Sequence, residues 1–250
     1  MGRVITDICR EDDEVEIIAG IDVFDGVQND YPVYSSLREC QEEADVIVDF
    51  CHAGAVDDLL DYCCQTGHPV VLCTTGLSEA QLERVEQVSE KVAVLKSANM
   101  SLGINMLMDL LKTATDVLKD AGFDIEIVEK HHNQKVDAPS GTALALADVM
   151  KERLGEDYHY QYDRSQIREK RDTKEIGISA VRGGNIVGEH EVIFAGMDEV
   201  ITFKHTAYSK GIFAKGAVEA AKFLKGKPAG HYEMKDVIAA RSTENPKRLS

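Results

Sequence analysis

The sequence predicts an α/β protein that begins with a parallel sheet flanked by helices and continues with a mixed sheet. Three observations predict this division. Short β-rich runs alternate with helix-like segments in the N-terminal part, as they do in doubly wound sheets. A strongly apolar helix comes next. After that helix, apolar and polar residues alternate along each strand-like run, which is typical of strands with one solvated face.

The N-terminal part contains runs rich in β-branched and apolar residues, each predicted to form a strand: 15–21, 44–50, 69–73 and 91–95. Helices are predicted between these strands. One spans 55–65 and stops before Gly67, a residue suited to a helix C-terminus. The next starts at Ser78, with Gln81 as its partner in a capping box.

The second part begins with the apolar helix, predicted over 102–118. Ser140 is predicted to cap a helix over 141–154 that ends at Gly155. Alternation of apolar and polar residues predicts four strands in a predominantly antiparallel or mixed sheet: 124–129, 175–182, 189–196 and 199–206. Residues 182–185 have the composition of a turn. An amphipathic helix over 209–224 is expected to return to the first domain, and the polar tail after Ala240 to fray.

We therefore predict a Rossmann-like dinucleotide-binding domain formed by 1–101 and 209–250, and an α+β substrate domain formed by 102–208. Ligands of doubly wound folds bind at the carboxyl ends of the parallel strands. The residues predicted to lie there are Asp22, Phe50, Thr74, Thr75 and Asn99.

The composition excludes several classes of partner. A formal net charge of −16 argues against nucleic acid and anionic membranes, because both favour basic surfaces. No apolar run approaches the roughly 20 residues that span a bilayer, and the N-terminus lacks a secretory signal, so the cytoplasm is expected. None of the six cysteines forms a Cys-x-x-Cys pair; we expect small buried apolar residues and no metal site.

The segment 129–143 carries the densest chemical signal. It reads Glu-Lys-His-His-Asn-Gln-Lys-Val-Asp-Ala-Pro-Ser-Gly-Thr-Ala, so two histidines and two lysines follow a strand in an acidic chain. A helix start comes directly after them, and the free amides and positive dipole end of a helix start attract anions. Histidine and lysine can also transfer protons. The pattern indicates a site that binds and protonates a carboxylate-bearing substrate, although a solvated basic loop before a capped helix would look the same.

This segment resembles the His-His-x-x-Lys-x-Asp-Ala-Pro-Ser-Gly-Thr-Ala signature of the 4-hydroxy-tetrahydrodipicolinate (dihydrodipicolinate) reductase family of diaminopimelate and lysine biosynthesis. The Thr-Thr-Gly turn at 74–76, the segment 97–103 and the segment 230–237 also resemble family motifs. The resemblance covers essentially all of residues 1–240. It implies an NAD(P)H-dependent reductase of a cyclic dicarboxylate imine that assembles as a homotetramer through the sheets of its substrate domain.

The resemblance also implies roles at matching positions. His131 would be the principal acid/base residue, and Lys135 would donate a proton to the substrate nitrogen. His132 and Lys135 would hold carboxylates, and one carboxylate would bind the helix start at Ser140, Gly141 and Thr142. The cofactor would contact residues of the first domain: Gly2, Arg3, Asp22, Cys73, Thr74, Thr75, Ser97, Ala98, Asn99 and Met100.

Asp22 bears on the choice between NADH and NADPH. An acidic residue at the end of this strand accepts hydrogen bonds from the ribose hydroxyls and repels a 2′-phosphate. Val23, which follows it, offers no positive charge to NADPH. The sequence therefore favours NADH, while the family often accepts both. Met100 and Cys73 depart from the aromatic residue and the glycine usual at their positions.

The family motif begins with a strand and a Gly-x-x-Gly turn, whereas Met1-Gly2-Arg3 resembles only the end of that motif. The expected first strand is thus missing from the sequence. Three explanations are open: a start codon assigned to an internal methionine, a truncated chain, or a natural variant with impaired cofactor binding.

Two other functions compete with the reductase. A non-catalytic dicarboxylate-binding paralogue would keep the anion site of 131–142 without a working nucleotide turn. Another small-substrate dehydrogenase, such as one acting on amino acids, would share the first domain but gives no reason for the segment 129–143.

Overall fold

The computed structural model describes residues 1–24 and 28–244. The described chain forms two compact units, one of residues Met1–Leu102 and Gly211–Ser250 and the other of residues Gly103–Lys210. No helix in these two described stretches is long and apolar enough to cross a membrane.

The first unit contains a parallel sheet with helices on both faces. Its strands lie in the order β11-β5-β4-β3 and all pair in parallel. They are β3 (Ile47–Asp49), β4 (Val70–Leu72), β5 (Ala93–Lys96) and β11 (Gly230–Tyr232). The helices are α1 (Gly2–Arg10), α2 (Val56–Thr66), α3 (Glu79–Ser89), α6 (Gly211–Leu224) and α7 (Met234–Glu244), with a 3₁₀ turn at Ala53–Ala55.

Each face of this sheet has its own apolar core. Side chains of α2 and α3, such as Leu60 and Val85, pack on Val70, Leu72 and Val94. On the other face, α6 and α7 pack on Val71 and Leu95. This alternation of faces is the doubly wound arrangement that the sequence predicts.

Local signals placed the helix ends of this unit correctly. Ser78 caps α3 in a capping box with Gln81. Gly67 ends α2 in the left-handed conformation, which glycine adopts without steric cost. Helix α7 extends past Ala240 to Glu244, and residues 245–250, part of the tail expected to fray, lie outside the described residues.

The predicted strand at 15–21 is mostly wrong. Only β1 (Gly20–Ile21) is a strand, and it pairs in parallel with β2 (Val33–Tyr34) in a separate two-stranded sheet. The strand was predicted from composition, because Val15, Ile17 and Ile18 are apolar and β-branched. A strand also needs a neighbouring strand to satisfy its backbone hydrogen-bonding groups, and composition does not show whether one is present. Asp22 therefore follows β1, outside the four-stranded sheet.

The second unit is a mixed sheet covered on one face by two helices. The strand order is β10-β9-β6-β8-β7. Strand β8 pairs in parallel with β6 and with β7, whereas β9 pairs antiparallel with β6 and with β10. The strands are β6 (Asp124–His131), β7 (His159–Tyr162), β8 (Glu175–Arg182), β9 (Gly188–Ala195) and β10 (Val200–Ala207). Helices α4 (Leu102–Leu118) and α5 (Gly141–Leu154) bury Leu111 and Leu146 against Ile127, Val192 and other inward residues.

The turn after Arg182 does not join two paired strands. Strands β8 and β9 lie on opposite sides of β6 rather than beside each other. Strand β6 is therefore central, and its carboxyl end lies beside the end of β8 and the start of β9.

The six cysteines are free, and only some match the expectation of burial. Cys9 and Cys63 are buried, whereas Cys51 is exposed because it follows β3 in a loop.

Gly216 gives a direct test of packing in the first unit. It faces the backbone of Met100, and a Cβ at this position would overlap the Met100 carbonyl oxygen. Backbone cannot rotate away as a side chain can, so Gly216→Ala should destabilise the protein by about 2 kcal/mol or more, measured by urea unfolding.

Gly2→Ala is the matched control, because Gly2 is also helical and a Cβ there would meet nothing within 4 Å. Its free energy of unfolding should be unchanged or slightly higher. Equal stability of the two variants would contradict the close packing of α6 on Met100.

Candidate active site

A buried carboxylate lies at the carboxyl end of β6. Glu129 is fully buried, and three residues bind its carboxylate: His131 through Nδ1 at 2.6 Å, Ser140 through its backbone N–H at 3.0 Å, and Arg182. Arg182 binds both carboxylate oxygens, with nitrogen–oxygen distances of 2.8 and 2.7 Å. Burial alone would raise the pKa of Glu129, but the hydrogen bonds from Arg182, His131 and Ser140 outweigh it and place the pKa below the usual range.

The helix start that follows is ordered by the same group. The Ser140 side chain caps α5 by accepting the Ala143 N–H at 3.2 Å, as the sequence predicts. Its backbone N–H is held by Glu129. Gly141 is exposed and Thr142 half-buried, so the first turn of α5 meets solvent.

Lys135 lies in the loop between β6 and α5 and pairs with Asp137 at 2.8 Å. The Lys135 ammonium is the main cause that holds the pKa of Asp137 below its usual range, and the Gly141 backbone contributes in the same direction. Asp137 therefore contacts a cation and a backbone group of the helix start, both of which can bind an anionic group. His132, next to β6, is half-buried.

A second buried histidine faces this cluster from β9. His190 Nε2 lies 3.0 Å from Ser140 Oγ, and its ring meets that of His131 edge to face at 5.1 Å between centroids. Burial, followed by the nearby His131, lowers the pKa of His190 to about 4. His190 is therefore neutral near pH 7 and adds no charge to the site.

In the first unit, a buried carboxylate also joins two strand ends. Asp49, the last residue of β3, accepts the Thr74 hydroxyl at 2.6 Å and the Cys51 N–H at 3.0 Å. This links the loop after β3 to the turn after β4, where Thr74 and Thr75 are predicted to bind the cofactor. Gly76 completes that turn with a φ of 73°, in the left-handed region.

The other predicted cofactor residues lie in several environments. Ser97 follows β5, and its Oγ accepts the Met234 N–H at 2.9 Å. The Asn99 side chain is buried and accepts the Ser101 N–H, and Met100 is buried in the apolar core beneath α6. Asp22 is exposed and accepts the Phe24 N–H at 3.0 Å. The remaining ones are Gly2 and Arg3 on α1, Cys73 after β4, and Ala98 after β5.

Sequence reasoning missed Glu129, Arg182, His190 and Asp49. One signal was available for Glu129: along β6 every second residue is buried, and Glu129 occupies one of these inward-facing positions together with Ile125 and Ile127. A charged residue at an inward position needs a partner, and such partners mark functional clusters. Within the described ranges, no group of three or more His, Cys, Asp or Glu side chains could hold a metal ion.

Comparisons with known proteins agree with this layout. The family model described as dihydrodipicolinate reductase, N-terminus, matches residues 1–100, and the one described as dihydrodipicolinate reductase, C-terminus, matches residues 103–238. The 4-hydroxy-tetrahydrodipicolinate reductase of Caldanaerobacter subterraneus subsp. tengcongensis is 51% identical over 238 residues, covering 95% of this chain and 94% of that protein. The Clostridium tetani enzyme of the same name is 49% identical over 235 residues, covering 94% and 91%.

Among solved structures, the dipicolinate-bound dihydrodipicolinate reductase from Paenisporosarcina sp. TG-14 shares the fold. Its TM-score is 0.77 at 22% identity, and the match covers 93% of this chain and 92% of that one. Family models that together cover nearly the whole chain, and full-length relatives near 50% identity, decide the assignment. This oxidoreductase belongs to the dihydrodipicolinate reductase family.

Proposed function

We propose that the protein catalyses the NAD(P)H-dependent reduction of 4-hydroxy-tetrahydrodipicolinate to tetrahydrodipicolinate in diaminopimelate and lysine biosynthesis. The observation that carries the proposal is the agreement between full-length relatives of that name and the cluster of His131, Lys135 and the α5 start in the second unit. On this proposal, the unit of Met1–Leu102 and Gly211–Ser250 binds the dinucleotide and the unit of Gly103–Lys210 binds the substrate.

The residues present fit a dinucleotide in the first unit. The turn Thr74–Gly76 and the segment 97–99 follow adjacent parallel strands, where doubly wound sheets bind nucleotides. The Asp49–Thr74 hydrogen bond fixes the first of these turns before binding. When bound, the reduced nicotinamide would supply the hydride that takes the place of the 4-hydroxyl group of the substrate.

The second unit would supply the proton. The reaction replaces the 4-hydroxyl group by hydrogen, so that group first leaves as water with a proton from the neighbouring ring carbon, which gives a C=C bond conjugated with the C=N bond. When hydride adds to the carbon that carried the hydroxyl group, the electron pair of the conjugated system moves to nitrogen, and a nearby acid must protonate it. The enamine formed in this way regains the C=N bond of the product when a ring carbon takes up a proton and the nitrogen loses one. The Lys135 ammonium is proposed as that donor, and His131 as the acid/base residue that restores its proton. The α5 start and His132 are proposed to hold the two carboxylates, which orients the ring and lowers the entropic cost of the step. A substrate carboxylate would displace Asp137 from Lys135.

The purified chain should oxidise NADH or NADPH when 4-hydroxy-tetrahydrodipicolinate is added, and Lys135→Ala should lower kcat by about 100-fold or more, because the developing nitrogen anion loses its acid. Absorbance of the reduced nicotinamide measures turnover. Calorimetry should give nearly the same dinucleotide Kd for both proteins.

Lys130→Ala is the matched control. Lys130 is a neighbouring lysine on β6, but it points to the other face of the sheet and pairs with Glu189. Its kcat should stay near that of the unmodified protein. Unchanged kcat in Lys135→Ala would remove Lys135 from the mechanism, and dicarboxylate binding without any nicotinamide oxidation would favour a binding protein.

NADH is the proposed preferred cofactor, with NADPH also accepted, because Asp22 is exposed after β1, where an acidic side chain would repel the 2′-phosphate of NADPH. Asp22→Ala should lower the preference for NADH over NADPH by about tenfold, the effect of losing one hydrogen bond of about 1.5 kcal/mol to a charged group. The ratio of kcat/KM for the two cofactors measures it.

Asp45→Ala serves as the control, since Asp45 is an exposed acid paired with Lys225. That variant removes the same charge from the same unit and should leave the ratio unchanged. A ratio that stays constant in Asp22→Ala would show that another group selects the cofactor.

A homotetramer is proposed because one face of the mixed sheet lacks helices of its own unit. Val181 on β8 and Val200 on β10 are 44% and 62% exposed. A second copy of this chain is the proposed cover for the apolar part of the face. We place the reaction in the cytoplasm, since all six cysteines are free, as is usual in a reducing compartment.

Sedimentation equilibrium should give four times the chain mass. Val200→Lys should shift the protein toward smaller species, because the lysine would be buried without a partner. Val117→Lys, at a 72% exposed position on α4, should leave the mass unchanged. A monomeric unmodified protein would refute this assembly.

A further inference from the structure

Glu129 and Arg182 form a junction between three separate segments of the second unit. Glu129 holds the ring of His131 on β6 and the backbone N–H of Ser140 at the α5 start. Arg182, at the end of β8, donates to both Glu129 oxygens and to the Asp137 carbonyl at 2.6 Å. The loop that carries Lys135 is thus fixed at Asp137 and again at Ser140.

The charge of this junction determines which nitrogen of His131 carries a proton. Glu129 is paired bidentately with a guanidinium, which favours its ionised form. An ionised carboxylate can only accept hydrogen bonds, so the contact at 2.6 Å requires a proton on His131 Nδ1. In neutral His131, Nε2 is then the nitrogen with a free lone pair.

His131 Nε2 faces a backbone position that carries no side chain. Gly188, the first residue of β9, lies beside this nitrogen, and a Cβ there would approach it to 3.1 Å. The glycine therefore keeps a side chain away from the nitrogen that Glu129 leaves free.

We infer that Glu129 is a positioning residue for His131: it holds the proton on Nδ1, so that Nε2 is the nitrogen that exchanges a proton during the reaction. Arg182 keeps Glu129 ionised and ties the Lys135 loop to the same point. This inference rests on the proposed function, because it assigns a task to the acid/base residue of that site. No proton leaves Glu129 at any step, and the proton moves only between Nε2 and its partner.

The first test is ¹⁵N–¹H NMR of the histidine rings in the unmodified protein above pH 8, with the signals of His131 identified by their loss in His131→Asn. The neutral ring should be the Nδ1–H tautomer. In Glu129→Gln, whose amide can donate as well as accept, the other tautomer should become populated. This readout does not depend on activity, so it decides the inference even if the protein fails to reduce the proposed substrate.

The second test is steady-state kinetics. Glu129→Gln should lower kcat at least about tenfold, the smaller end of what a misplaced acid/base group costs, while the KM for the dinucleotide stays within about twofold. Glu189→Gln is the matched control. Glu189 on β9 lies opposite Lys130, the residue after Glu129 on β6, so it belongs to the other face of the sheet, where it pairs with Lys130 and Lys204. The kcat of this variant should not change.

Gly188→Ala tests the same idea without removing a buried charge, which keeps the inference testable if Glu129→Gln does not fold. It should lower kcat by crowding Nε2 while the Nδ1–H tautomer persists. An Nε2–H tautomer in the unmodified protein would overturn the inference. So would a Glu129→Gln variant that keeps its full kcat, or one that loses kcat with the tautomer unchanged, since that outcome indicates a purely structural role.

Discussion

The buried carboxylate of Glu129 is the interaction on which the second unit depends. Burying an ion costs several kcal/mol unless its charge and lone pairs are fully satisfied. Here Arg182 compensates the charge, and His131 and the Ser140 N–H occupy the remaining acceptor sites. Each partner is therefore held in place by its hydrogen bond to Glu129. The energy that stabilises the fold at this point also fixes the groups that are proposed to act on substrate.

A buried carboxylate also orders loops in the first unit. Asp49 is a buried acid at the end of a strand, and it binds a hydroxyl and an amide from the neighbouring loops rather than a cation. Loops at strand ends would otherwise sample many conformations, and ordering them during binding would cost affinity. In each unit, a carboxylate at a strand end orders the segment proposed to contact a ligand before the ligand arrives.

The sequence predicts the features that depend on neighbouring residues. The capping box at Ser78, the left-handed Gly67 and the cap at Ser140 each need only a few consecutive residues, and all were found as predicted. The segment 15–19 was predicted as strand and is not, because strand formation requires a distant partner that composition does not reveal. The Glu129–Arg182 pair is separated by 53 residues, so only the pairing of β6 with β8 could disclose it.

That pairing explains why the site forms at this edge of the sheet. Parallel strands end at the same edge, so β6 and β8 bring His131 opposite Arg182. Strand β9 runs the other way on the far side of β6, and its first residues, Gly188 to His190, reach the same edge. A hairpin between β8 and β9 would have placed them beside each other and left β6 without one neighbour. The central position of β6 is what surrounds Glu129 and His131 with partners from both sides.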